Sequence, residues 1–292
     1  MDIDNLVNQF TNHLENKGRS QSTIVAYRKD IEQLLEHINE LDSTLDLEGV
    51  KHEHLNSFVD NLKDSGQYTL KTVSRKINSL KTFFKYLKSQ KLIVNDHSKD
   101  IKHPELLPQL PRVLSPLEYR ALRDVARNNL RLYTMVELLL QTGIRIGELS
   151  RMKRDHVNIE HQEPHIYVEE YSSNPERIVH LNEIAHESLD RYLFKFSPPE
   201  KDKGYLFTTK TGNPVLIRNI RTAINRAFKK AGIKNATVND IRNTFIVFQL
   251  EQGLDIELLA ELAGHQKATT TERYLQLLEN PPAKRTNKIK AL

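Results

Sequence analysis

With 292 residues, 38% of them hydrophobic and 28% charged, the chain is long enough for two domains with separate cores and is not composed like a disordered one. It holds no cysteine, which excludes disulfides, thiol nucleophiles and cysteine metal sites and fits a cytoplasmic setting, and no apolar run approaches the ~18 residues of a membrane span. The formal net charge of +5 permits a polyanionic partner, and becomes informative only where the charge gathers on particular helices. The opening MDIDNLVNQF is acidic and lacks the basic start of a secretory signal.

Residues 2–17 place Leu6, Val7, Phe10 and Leu14 on one helical face, and Gly18 ends the run. Ser20 or Ser22 caps a second helix whose apolar stripe is Ile24, Tyr27, Ile31, Leu34, Leu35 and Ile38. A third helix is predicted over about 51–64 and a fourth from about Thr69 to Lys91, with Val73, Ile77, Leu80, Phe84 and Leu87 inward. Residues 1–98 therefore read as a helical bundle. The fourth helix also carries Lys71, Arg75, Lys76, Lys81, Lys85 and Lys88, a pattern that fits a solvated face or a surface for phosphates. Prolines at 104, 108, 111 and 116 then mark a linker over 99–115.

A second domain, 116–280, opens with helices over about 116–127 and 130–142, the latter apolar enough to be buried. In TGIRIGEL, Gly143 breaks the helix and Arg145 begins the next, which runs to about Lys153. An arginine between Ile144 and Ile146 needs a buried acidic partner or an anionic ligand. Glu148 is that partner, or it positions the arginine. Residues 156–181 alternate apolar and polar in HVNIE, HIYVEE and ERIVHL, which predicts a small antiparallel sheet. A helix over about 183–195, a short Gly204–Phe207 strand or edge, and a helix over 216–231 follow. The last carries Arg218, Arg221, Arg226, Lys229 and Lys230 on three sides, which suits solvent as well as a polyanion.

The stretch Thr237–Leu277 holds Arg242 at the start of an apolar helical run, His265 in an AGH turn, and Tyr274 after a threonine cluster. An arginine grips phosphate with a planar fork, a histidine adds a hydrogen bond, and a tyrosine oxygen can attack phosphorus. Thr269 or Thr270 is expected to cap a helix with Glu272 in its first turn, carrying Tyr274 on a rigid arm. The tail 281–292 is proline-broken and basic, with Ile289 and Leu292 as a thin apolar anchor.

These motifs resemble those of the tyrosine recombinase (phage integrase and Xer) family. Its T-G-L-R-I-S-E-L matches around Arg145; its H-x-L-R-H-T-F matches at Arg242, Thr244 and Phe245; its L-G-H matches at Gly264 and His265; its nucleophile matches Tyr274. STIVAYRKDI and SRKINSLKTFFKYL are similar to that family's core-binding domain. The resemblance implies a mainly α fold with a small antiparallel β-sheet: a helical core-binding (SAM-like) bundle plus an α+β catalytic domain. It implies a site-specific recombinase that cuts and rejoins double-stranded DNA through a 3′-phosphotyrosyl intermediate, without cofactor or metal. The protein would act as a homo-oligomer, a tetramer on DNA and a monomer or dimer free of it, with the tail exchanged between protomers and no membrane involved. Arg145, Asn239, Arg242, His265 and Tyr274 would be catalytic, and Lys71, Arg75, Lys76, Lys81, Arg218 and Arg221 would contact DNA.

The chain departs from the pattern at three positions. Asn239 stands for the histidine of H-x-x-R and Asn243 for the histidine after the arginine. Ser172 stands for the first lysine of the hairpin G-K-G-x-K-x-R, and that hairpin contains no lysine. Loss of a general acid costs ~10²–10⁴ in rate. Lys210 or another lysine could replace it. The sequence leaves open a catalytically weakened DNA-binding homologue, and a type IB topoisomerase-like nicking-closing enzyme shares the chemistry.

Overall fold

The computed structural model describes residues 3–107, 109–160, 162–171, 174–278 and 285–292, in two compact units, Met1–Pro108 and Gln109–Leu292. The first unit is built from α1 (Ile3–Asn16), α2 (Gln21–Leu41), α3 (His52–Asp64) and α4 (Leu70–Ser89). Of the two candidate caps of α2 it is Ser20 whose hydroxyl accepts from the Thr23 amide, and Thr69 does the same for α4. The helical stripes meet as their spacing requires. Phe10, Leu14, Ile31, Leu34, Leu55, Ile77 and Leu80 are buried together, and Phe10 meets Phe83 edge-on with ring centroids 5.1 Å apart.

One polar cluster lies inside this bundle. Asp30 of α2 is 3% exposed and accepts from Arg75 Nη2 at 3.0 Å, Lys76 Nζ at 2.9 Å and Ser79 Oγ at 2.9 Å, all on α4. Burial works against the Asp30 carboxylate, but these hydrogen bonds hold its pKa below the usual range. The cluster corrects the expectation for Lys76. Its ammonium, on a residue 6% exposed, is shared between Asp30 and Gln33 Oε1 at 2.7 Å and cannot reach a phosphate. Lys76 precedes Ile77 on the inward side of α4, where a charge must find a buried partner. Arg75 binds the same carboxylate, while Lys71 is exposed and Lys81 half-buried.

In the second unit, α5 (Pro116–Ala126) starts with a capping box of Ser115 and Glu118. Helix α6 (Leu130–Thr142) is buried from Thr134 to Thr142 and ends at Gly143, whose φ of +61° suits a residue without Cβ. There follow α7 (Ile146–Arg151), strands β1 (Val157–Asn158), β2 (His165–Val168) and β3 (Arg177–His180), α8 (Glu183–Lys195), α9 (Ile217–Lys230), α10 (Val238–Glu251), α11 (Ile256–Ala263) and α12 (Ala268–Glu272). The sheet is antiparallel in the order β1-β2-β3, with Ile166 opposite Val179 and Val168 opposite Arg177. Gly204–Phe207 forms no strand, only a bridge of Tyr205 with Lys153. Helix α6 packs against α5, α8 and α10 and so forms the middle of this unit.

The tail segment 285–292 returns to its own unit. Thr286 bridges to Leu254, Lys290 exchanges backbone hydrogen bonds with the Gln249 amide at 2.7 and 3.1 Å, and Leu292 N donates to Gln141 Oε1 at 3.0 Å. Leu292 is 7% exposed within the core. Buried side-chain amides, and not two apolar residues alone, hold this end of the chain. Among the described residues, no helix is long and apolar enough to cross a membrane.

Candidate active site

The C-terminal end of α11 organises the site. A helix leaves its last carbonyls without intrahelical donors, and its dipole makes that end attractive to cations. Here successive carbonyls each take one guanidinium. Arg177 Nε of β3 donates to Leu262 O at 2.8 Å, Arg242 Nη2 of α10 to Ala263 O at 2.5 Å, and Arg145 Nη2 at the start of α7 to Gly264 O at 2.6 Å. Arg242 Nη1 also binds Gly143 O, which ties the end of α6 to the same place. Gly264 has φ +65°, and a Cβ there would lie 2.8 Å from Nη1 of both Arg145 and Arg177. Glycine is required by the backbone and by the crowding of the arginines alike.

Glu148 is 6% exposed and holds two of these arginines. Arg177 reaches it with both Nη atoms, at 3.0 and 2.8 Å, and Arg145 with Nη1 at 3.1 Å and its amide at 2.8 Å. Burial disfavours the carboxylate, but the bonds and charge of Arg177, aided by Arg145, bring its pKa below the usual range. The acidic partner that the Ile144-Arg145-Ile146 context requires is therefore Glu148. Arg242, 8% exposed, forms no ion pair with a carboxylate among the described residues. Burial, then the charge of Arg145, lowers its pKa to about 9, so it remains charged near neutral pH. Three guanidiniums around one ion-paired carboxylate leave an excess of positive charge that an anion would neutralise.

His265 and Tyr274 stand beside them. His265 Nδ1 lies 2.8 Å from the Thr271 hydroxyl. Burial, with Arg242, Arg145 and Arg177 nearby, lowers the imidazole pKa to about 4, so the ring is neutral near pH 7. The rings of His265 and Tyr274 are 11° from parallel with centroids 6.4 Å apart. Tyr274 is half-buried; its hydroxyl donates to Asn243 Oδ1 at 2.9 Å, and burial pushes the phenol pKa up.

Arg145 thus comes together with Arg242, His265 and Tyr274 of the Thr237–Leu277 stretch. Asn239 is exposed on the first turn of α10 and makes no hydrogen bond to these four among the described residues. Ser172 lies outside the described residues. Lys210 shares a hollow with Asn129 and Arg131 at the opening of α6, about 20 Å from Gly143 by the rise of that helix. Arg218 and Arg221 are exposed on α9. The threonine cluster behaves differently from expectation. Lys267 is the N-cap of α12, Thr269 and Thr270 lie within the helix, and Glu272 is its last residue. Tyr274 sits in the 3₁₀ turn Arg273–Leu277 that follows. Thr271, fully buried, turns inward to His265, and this contact sets the helix phase in place of threonine's capping preference.

Sequence reading missed the part played by Arg177, by Asn243 as the partner of Tyr274, and by Thr271. The signal for Arg177 was present. In RIVH it shares the alternating inward face with Val179, an unusual place for an unpaired charge.

The family model of the phage integrase family matches residues 112–280, and that of the phage integrase N-terminal SAM-like domain matches residues 7–91. The tyrosine recombinase XerC of Staphylococcus saprophyticus subsp. saprophyticus is 30% identical over 264 residues, covering 88% of this chain and 87% of its own. The crystal structure of XerA recombinase superposes with a TM-score of 0.53 at 26% identity over 94% of each chain. A lambda integrase tetramer bound to a Holliday junction shares the fold, with a TM-score of 0.74 at 17% identity over 98% of this chain and 80% of that one. A family match over more than half its length, joined to relatives that span nearly all of it, shows that this chain belongs to the phage integrase family, the tyrosine recombinases.

Proposed function

We propose that the protein is a site-specific recombinase that cuts and rejoins duplex DNA through a covalent bond between Tyr274 and a 3′ phosphate. The observation that carries this reading is the buried, acid-free guanidinium of Arg242 beside Arg145, His265 and Tyr274. The remaining guanidinium donors would take the two non-bridging oxygens of one phosphate, where charge rises in the transition state. In this reading Thr271 donates to Nδ1, which places the single proton of the neutral His265 ring on Nε2, where it would donate to the same phosphate. Tyr274 Oη attacks phosphorus and yields its proton to solvent, while the bond from phosphorus to the 5′ oxygen breaks and that oxygen leaves with a proton taken from water. The 5′ hydroxyl of a second strand then reverses the step. No bond energy is lost and no nucleotide cofactor is needed.

Asn239, one turn ahead of Arg242, would donate its amide to the phosphate but cannot move a proton. Lys71, Lys81, Arg218 and Arg221 would bind flanking phosphates. Assembly as a tetramer on DNA, with the tail passing to a neighbour, belongs to the same proposal. The socket formed by Gln141 and Gln249, with Arg123 donating to the Leu292 carbonyl oxygen, would accept that tail. The test is a duplex nicked near the cleavage site, which traps the covalent complex because the short strand diffuses away. The parent should form a complex that Tyr274→Phe and Arg242→Ala do not; a complex formed equally by Tyr274→Phe removes the nucleophile assignment. A bridging 5′ sulfur, which leaves without a proton, should speed cleavage if proton donation limits the rate.

A further inference from the structure

The bonds around Tyr274 determine which way one side chain faces. Asn243 Nδ2 lies 3.1 Å from the Arg112 carbonyl oxygen and 3.3 Å from Asp240 Oδ1, and Asn243 Oδ1 lies 2.9 Å from Tyr274 Oη. A peptide carbonyl can only accept, so the NH₂ end must face Arg112 and the oxygen must face the phenol. An amide oxygen cannot donate, so the phenol proton points at Asn243. The arrangement is braced on both sides. Leu114 N donates to Thr244 Oγ1 at 2.9 Å, holding the Arg112–Leu114 segment along α10. Asp240 is fixed by the Thr237 amide and hydroxyl at 2.7 and 3.0 Å.

We infer that Asn243 is the positioning residue of the nucleophile: it holds Tyr274 by its proton, directs the oxygen lone pairs away from α10, and is itself locked by the Arg112 carbonyl. The inference rests on the reading of Tyr274 as the attacking group. Asn243 takes no proton; it decides where the proton points before the phosphate arrives. A histidine here would add a titrating group next to the phenol, whereas asparagine keeps that contact independent of pH. The Arg112 carbonyl makes the segment before α5 part of the site's support.

The experiment compares the parent with Asn243→Ala and Asn243→His, each also made with Tyr274→Phe. Tyrosinate ultraviolet absorbance, read without DNA and differenced against the Tyr274→Phe partner, gives the ionisation of Tyr274 alone. Loss of the acceptor in Asn243→Ala should move that ionisation to lower pH, since the bond favours the protonated phenol. Covalent-complex formation on the nicked duplex should slow by about 10²-fold, as expected when a reacting group loses its orientation, with DNA affinity unchanged. Asn243→His should recover part of the rate and introduce an inflection near the histidine range, about pH 6.5. The inference is overturned if Tyr274 ionises in Asn243→Ala as in the parent, or if the complex forms at the parental rate. Because the titration needs no DNA, it judges the Asn243 contact even if the Tyr274→Phe control shows that another residue is the nucleophile.

Discussion

Replacing Gly264 with alanine isolates the geometry on which the chemistry depends. The new Cβ would stand 2.8 Å from Nη1 of Arg145 and of Arg177 and 2.9 Å from Arg177 Cζ. An ordinary contact is about 3.5 Å, so each guanidinium must recede by roughly 0.7 Å. The left-handed backbone, φ +65°, adds about 1–2 kcal/mol of strain for any L side chain. Gly232→Ala supplies the control, because Gly232 has φ +73° and nothing within 4 Å of its added Cβ. Both variants should lose similar stability from the backbone, read as a lower melting temperature. Only Gly264→Ala should also lose catalysis, by about 10²-fold, since a displacement near 1 Å in a reacting constellation has that effect. The assay is single-turnover formation of the covalent complex on a nicked duplex at saturating protein. A Gly264→Ala protein that cleaves at the parental rate would refute the idea that the end of α11 sets the arginine positions.

Further outcomes follow from the same structure. Asp30→Asn strands the buried ammonium of Lys76 and should cost about 3–5 kcal/mol in urea unfolding, whereas Lys71→Ala should leave stability alone and reduce the salt dependence of DNA binding by about one phosphate contact. The folded pKa of His265, about 4, lies below its unfolded value of 6.5, so the unfolded state takes the proton first. Stability should therefore fall as pH drops from 6.5 towards 4, and thermal melts of His265→Asn should lack that component. Leu292→Ala removes a side chain 7% exposed in the core and should cost about 2–5 kcal/mol in chemical denaturation; an unchanged midpoint would mean that the tail is not docked on its own unit in solution.

Much of this protein is legible in one dimension because its helices are amphipathic and its turns carry their own chemistry. The stripe Ile24-Ile31-Leu34-Ile38, the stop at Gly143 and the alternation in RIVH each depend on local periodicity, and each appears where the pattern places it. Lys76 was misread for the same reason. A basic run on α4 looks alike in sequence whether it faces water or Asp30, since the partner lies 46 residues away. Thr269 and Thr270 have the right chemistry for a cap, but a buried contact of their neighbour Thr271 decided the helix phase.

The sequence by itself determined the two helical domains, the small sheet, and the arginine, histidine and tyrosine that the site would use, because these follow from local pattern and from motif wording. Only the tertiary structure decided how they are held. The open carbonyls at the end of α11 collect Arg145, Arg177 and Arg242, Glu148 binds two of them, and Asn243 accepts the hydrogen bond of the Tyr274 hydroxyl. Those contacts join residues up to 119 positions apart. Periodicity reports which face of an element turns inward; it carries no record of which distant element waits there.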